Sequence, residues 1–136
     1  MQLVVDANIL FAVIIGRDKT LRLFFSDKIE LLAPEFLFEE MENNKSKISK
    51  LSGLFISEIE TLLSKIKSKV HIVYPDEVKS FISEAERICP DSKDLAYFTV
   101  ALAFKAAIWS REKSFKKQNK VKIFDTPELL KMFNVT

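Results

Sequence analysis

The chain has 136 residues, 48% of them hydrophobic and 29% charged, and 21 Lys+Arg against 19 Asp+Glu leave a net charge of +2 with the His neutral. That length and apolar content describe one domain over residues 1–136. They exclude a disordered chain and permit nucleic acid as a partner without demanding it. One Cys (Cys89), one His (His71) and two glycines (Gly16, Gly53) exclude internal disulfides, Cys/His zinc sites and Gly-rich phosphate loops, so catalysis falls to carboxylates.

In chain order, residues 3–5 form a short β-branched apolar run that stops at Asp6, as a buried strand does. Asn8 is placed to cap an apolar helix over 9–15, and a second short helix follows over 20–26. A strand is predicted over 29–33, after which Pro34 opens a helix through Met41. Ile48, Leu51, Phe55, Ile59, Leu62 and Ile66 recur at helical spacing, with a break near Ser52-Gly53. A strand over 70–74 is stopped by Pro75, and 78–88 is helical. Pro90 punctuates before Asp91 or Ser92 caps a helix over 93–105 that is apolar nearly all round and so deeply buried. Strands over 107–109 and 121–124 flank a short helix over 113–118, and Thr126 caps a terminal helix with Pro127 at its first position.

Strands alternating with helices imply a mostly parallel sheet covered on both faces. Residues 95–109, the longest apolar stretch, include Thr99 and Lys105 and fall short of a bilayer span. With no basic leader at the amino terminus, a soluble cytoplasmic protein with no membrane partner is expected.

In such folds ligands gather beyond the carboxyl ends of the strands. Four segments deliver acids there: Asp6 after the first strand; Glu35, Glu39 and Glu40 on the helix after the second; Asp91 and Asp94 at the head of the buried helix; and Glu112 in Ser110-Arg111-Glu112. Most have an ordinary explanation as well. Asp91 suits a helix cap, Asp94 a helix N-terminus, Glu39 and Glu40 a solvated face, and Glu112 an exposed loop. Asp6 does not, because solubility does not call for a charge directly after a buried run. Two carboxylates 4 Å apart repel by about 4 kcal/mol at an effective dielectric near 20. A cluster therefore needs protons or a cation, and an oxygen-only donor set favours Mg²⁺ or Mn²⁺, ions suited to phosphoryl chemistry.

Asp6 and Asn8 in VVDANIL, Glu40 after APEFLFE, Asp94 in DSKDLAYFTVALA, and the segment IWSREKSF together resemble the ordered acidic motifs of PIN-domain ribonucleases, over essentially the whole chain. The resemblance implies a three-layer α/β/α sandwich and cleavage of single-stranded RNA with Mg²⁺ or Mn²⁺. It also implies Asp6, Glu40, Asp94 and Glu112 as catalytic and metal-binding acids, with Asn8 as the polar neighbour of Asp6. Glu39 rivals Glu40, since helix phase is not fixed to one residue. Glu112 lies 18 residues after Asp94, where the family's fourth acid is usually Asp. Ser114 replaces a further Asp, a deficit that Asp91 would offset as an additional ligand. A toxin paired with an antitoxin protein and an RNA-processing factor both fit.

From Arg111 to Lys122, six basic residues (Arg111, Lys113, Lys116, Lys117, Lys120 and Lys122) face only Glu112. Beside the acids they would draw in a phosphate backbone, with Asn8, Ser110, Arg111, Lys113, Lys116 and Lys117 nearest the substrate; a solvated lysine-rich loop reads the same way. Lys45, Lys47 and Lys50 lie near the helix break, on a segment resembling the projecting arm of PIN domains, which lines a substrate groove or a homodimer contact. Two rival functions remain. One is a catalytically weakened domain binding RNA or protein, motivated by Glu112 and Ser114. The other is a haloacid-dehalogenase-type phosphatase with Asp6 as nucleophile, which Asn8 disfavours because a second Asp is expected there.

Overall fold

The structure is a computed structural model that describes residues 1–16 and 18–135. Its centre is strand β1 (Gln2–Val5), where Leu3, Val4 and Val5 are all fully buried. Successive strand side chains point to opposite faces, so burial of all three means that both faces of the sheet are covered. Strands β2 (Glu30–Pro34), β3 (Val70–Val73), β4 (Ala107–Trp109) and β5 (Ile123–Phe124) complete a sheet in the order β3-β2-β1-β4-β5, every pairing parallel. With helices flanking both faces this is the expected three-layer α/β/α sandwich. The last strand is shorter than the 121–124 expected, because Val121 and Lys122 belong to the loop ahead of it.

The chain winds outward from β1 through β2 to β3, then returns to the other side of β1 for β4 and β5. Neighbouring loops at β1 and β4 therefore diverge at their carboxyl ends, and the crevice between them is where α/β sheets place ligands. Helices α1 (Ala7–Ile15) and α2 (Asp18–Phe24) follow β1, and α3 (Glu35–Asn43) follows β2. The amphipathic segment is broken as expected into α4 (Lys45–Ser52) and α5 (Ile56–Lys69) by Gly53, whose φ of +76° a side chain would resist. This hairpin leaves Leu51, Phe55 and Ile56 exposed. Pro75 does more than end β3, because it opens the short helix α6 (Pro75–Val78), and α7 (Ile82–Ile88) follows.

Helix α8 (Leu95–Phe104) contacts β1, β2 and β4 and buries Tyr97, Phe98, Thr99, Val100 and Ala101. A 3-10 turn, Ser92–Asp94, leads into it, and Asp91 caps that turn by accepting from the Lys93 amide at 3.0 Å. Two expected caps move by one or two residues. Asp6, not Asn8, caps α1, and Asp125, not Thr126, caps α9 (Thr126–Met132) through a reciprocal pair with Glu128. In both places the upstream carboxylate reaches the free amides of the first turn. The Thr126 hydroxyl accepts instead from the indole N–H of buried Trp109 at 3.0 Å.

Candidate active site

Asp6 is the last residue before α1 and is only 4% exposed. Its two oxygens are separately held. Oδ1 accepts from the Ile9 amide at 3.1 Å, which is the helix cap, and Oδ2 accepts from the Ser110 hydroxyl at 2.5 Å. The Ser110 oxygen in turn accepts from the Glu112 amide at 2.9 Å. One buried serine thus links the ends of β1 and β4 across the switch point and fixes the loop that carries Glu112. Ser110, expected near the substrate, is only 2% exposed, has its hydroxyl engaged by Asp6 and the Glu112 amide, and does not line the adjoining cleft.

A cleft of about 130 Å³ opens in front of Asp6, lined also by Ala7, Asn8, Lys93, Asp94, Tyr97, Glu112 and Phe115. Burial pushes the Asp6 carboxyl above the ordinary range, opposed by its bonds from Ser110 and Ile9, while the Glu112 charge adds to the rise. Asp94 is raised too, again by burial first; Lys93 opposes, and the charges of Asp91, Glu112 and Asp6 add to it. The Tyr97 hydroxyl is pushed up by burial and by the carboxylates of Asp6, Glu40 and Asp94. These acids feel one another in a partly dry crevice, as at sites built to hold or move charge. Among the described residues, no three Asp, Glu, His or Cys side chains stand close enough together to enclose a metal ion.

Asp6, Asn8, Asp94 and Glu112 therefore share one cleft, whereas the other candidates are more scattered. Glu40 is exposed and does not line it, but its charge acts on Tyr97 at the cleft wall. Glu39 lines two grooves beside α3, one shared with α6, α7 and the first turns of α8 and the other with β3 and the end of α5. Asp91 is exposed, caps its turn and lies 3.9 Å from Lys93.

The basic residues divide as well. Arg111, Lys113 and Lys117 are exposed on the loop and 3-10 turn after β4, while Lys116 pairs with Glu128 of α9 at 2.8 Å. Lys120 and Lys122 turn away altogether and line a groove at the amino end of the strands. The continuous patch expected from 111 to 122 is thus two surfaces. On the helical arm, Lys45 is neutralised by Glu42 at 2.6 Å and Glu60 at 3.5 Å. Sequence reasoning missed Lys93, Tyr97 and Phe115 as walls of the cleft. Tyr97 was within reach, since it lies three residues beyond Asp94 and so shares its helical face.

Comparison with known proteins agrees with this architecture. The crystal structure of PAE2754 from Pyrobaculum aerophilum is similar with a TM-score of 0.65 at 21% identity, covering 100% of this chain and 91% of that one. VapBC2 from Rickettsia felis, bound to a DNA fragment from their promoter, gives 0.67 at 16% identity over 92% of this chain and 98% of that one. VapBC-1 from nontypeable Haemophilus influenzae gives 0.66 at 14% identity over 93% and 99%. These likenesses establish the fold alone. No curated protein sequence matches the chain. A family model described as PIN domain matches residues 4–129, from within β1 to within α9, and the chain belongs to the PIN domain family.

Proposed function

We propose that this chain is an endoribonuclease that hydrolyses single-stranded RNA with the help of Mg²⁺ or Mn²⁺. Members of the PIN family are typically nucleases and generally use divalent metals. The observation that carries the proposal is the shared cleft of Asp6, Asp94 and Glu112 at the β1/β4 switch point, with Asp6 and Asp94 each raised by burial and by neighbouring charge.

Drawn together from their present spacing, which does not enclose an ion, the donors suit a hard cation. They are oxygen only, and the Asp94 carboxylate accepts no hydrogen bond from a described residue, which leaves its lone pairs available. Asp6, Asp94 and Glu112 would hold the ion, with the charges of Asp91, felt at Asp94, and of Glu40, felt at Tyr97, added from outside the cleft. Bound there, a divalent cation supplies an activated water and charge neutralisation at phosphorus. The chain's own part is distinct. Ser110 orients Asp6, Lys93 offers a cation to the phosphate at the cleft mouth, and Asn8 offers an amide to the sugar–phosphate backbone. Arg111, Lys113 and Lys117 extend the positive rim.

The test is cleavage of a labelled single-stranded RNA with Mn²⁺ and with EDTA, for the wild type and for Asp94→Asn. Metal-dependent cleavage lost in the variant is the expected result, and equal cleavage by both proteins overturns the assignment. A protein partner of the antitoxin type is part of this reading, supported by the likeness to the two VapBC structures.

A second reading, a catalytically weakened binding module, has its own observations. The acids are gathered without closing around a point, and Ser114 stands where another acid would strengthen the site. Under that reading millimolar Mn²⁺ leaves the melting temperature unchanged and no RNA is cut.

A further inference from the structure

At the opposite end of the sheet from the acids lies a larger groove of about 660 Å³, formed at the amino ends of β1, β4 and β5 and the last turn of α8. Its charged side chains are Lys105, Lys120 and Lys122, and no carboxylate lines it. None of the three makes an ion pair with a described residue. Lys122 lies over the ring of Phe124 at 5.9 Å. Lys105 ends α8 with φ of +54°, a left-handed conformation that disfavours any residue bearing a Cβ and that glycine adopts freely. A long cation is thus held where the backbone alone would favour glycine, and strain of that kind marks functional positions.

The path between the two ends is rigid. Gln118 clamps the loop from the 3-10 turn Lys113–Lys117 to β5: its Nε2 donates to the carbonyls of Phe115 and Val121, and its Oε1 accepts from the amides of Lys120 and Val121, all at 2.8–2.9 Å. Phe115 anchors the same segment edge-on against Phe98 at 5.1 Å and also walls the acid cleft. Lys113, Lys117 and Lys120 are exposed on this clamped segment. β4 is three residues long, so the two sites lie about 10 Å apart along the strand.

We infer that the groove of Lys105, Lys120 and Lys122 is a distal phosphate-binding subsite for the same single strand of RNA whose scissile bond lies at the acid cleft, with the clamped loop as its track. The inference rests on the nuclease reading above. Cations on a preorganised track bind backbone phosphates without reading sequence.

The experiment compares the wild type with a triple variant, Lys105→Gly, Lys120→Gln and Lys122→Gln. Glycine at position 105 relieves the positive-φ strain, and circular dichroism verifies that the variant folds. Cleavage is measured on an RNA of about 20 nucleotides, long enough to fill a single-strand groove, and on a dinucleotide, whose one phosphate occupies the acid cleft and leaves none for the distal groove. The expected result is a KM raised on the order of tenfold for the long RNA and unchanged for the short one, with kcat unchanged and the salt slope of long-RNA binding lowered by about 2. An unchanged KM on both RNAs, or an equal rise on both, overturns the subsite. Anisotropy of the same labelled RNAs in EDTA makes the comparison without cleavage, so an inactive wild type defeats the nuclease reading while the length dependence of binding still decides the subsite.

Discussion

The two ends of one short sheet carry opposite chemistry and are built differently. At the carboxyl end, acids converge on a tight, half-dry crevice in which the most buried member, Asp6, has both oxygens engaged. At the amino end, lysines surround a wider groove and stay solvated. Carboxylates in a shared crevice raise one another's affinity for protons and for cations, so that end is costly until something positive arrives. Exposed lysines cost little to display and act through their summed field. Under the proposed reading, chemistry belongs at the first end and attraction at the second.

The sharpest break of that contrast is Asp94→Asn, which is expected to abolish metal-dependent cleavage while the fold persists, read as product formation beside an unchanged circular dichroism spectrum. Next is Ser110→Ala, which leaves Asp6 buried with one bond fewer. Loss of such a supporting hydrogen bond is expected to lower metal affinity or activity about 10- to 100-fold, and unfolding in urea should show a cost of about 1–3 kcal/mol. Gln118→Ala strikes the link between the two ends and is expected to cost a similar 1–3 kcal/mol with little change in cleavage of short RNA.

The smallest effect is on pH dependence. Asp6 and Asp94 titrate above their ordinary value of 3.8 in the folded state. The native protein therefore holds protons that the unfolded chain has released, and without metal its stability falls as pH rises from 3.8 towards the raised values. Urea midpoints across that range should decline in the wild type, and less in Asp94→Asn. Adding Mn²⁺ at neutral pH should raise the wild-type melting temperature and leave the variant's nearly unmoved.

Much of the acidic end is legible in the sequence because each acid sits at a punctuation mark. Asp6 ends an apolar run, Asp94 heads a helix that is apolar nearly all round, and Glu112 follows a three-residue strand. The sheet and the broken helical arm are legible for a related reason, since apolar period and Gly53 both act locally. What is hidden depends on distance along the chain. The Ser110–Asp6 bond spans 104 residues, and no local pattern distinguishes that serine from one facing solvent. The separation of Lys120 and Lys122 from Lys113 and Lys117 is hidden for the opposite reason. They are close in sequence, but the clamped loop turns the chain from one end of the sheet to the other between them. Helix caps fail by a residue or two because Asp6 and Asn8, like Asp125 and Thr126, all carry an oxygen able to do the work.

Asp6 serves two masters, since the oxygen that starts α1 belongs to the same carboxylate that anchors the crevice. Asparagine satisfies the first demand nearly as well and removes the negative charge on which the second depends. A single nucleotide change separates the two codons, so the scaffold lies one mutational step from a silent version of itself that still folds. Such a version would keep its lysines and whatever they hold.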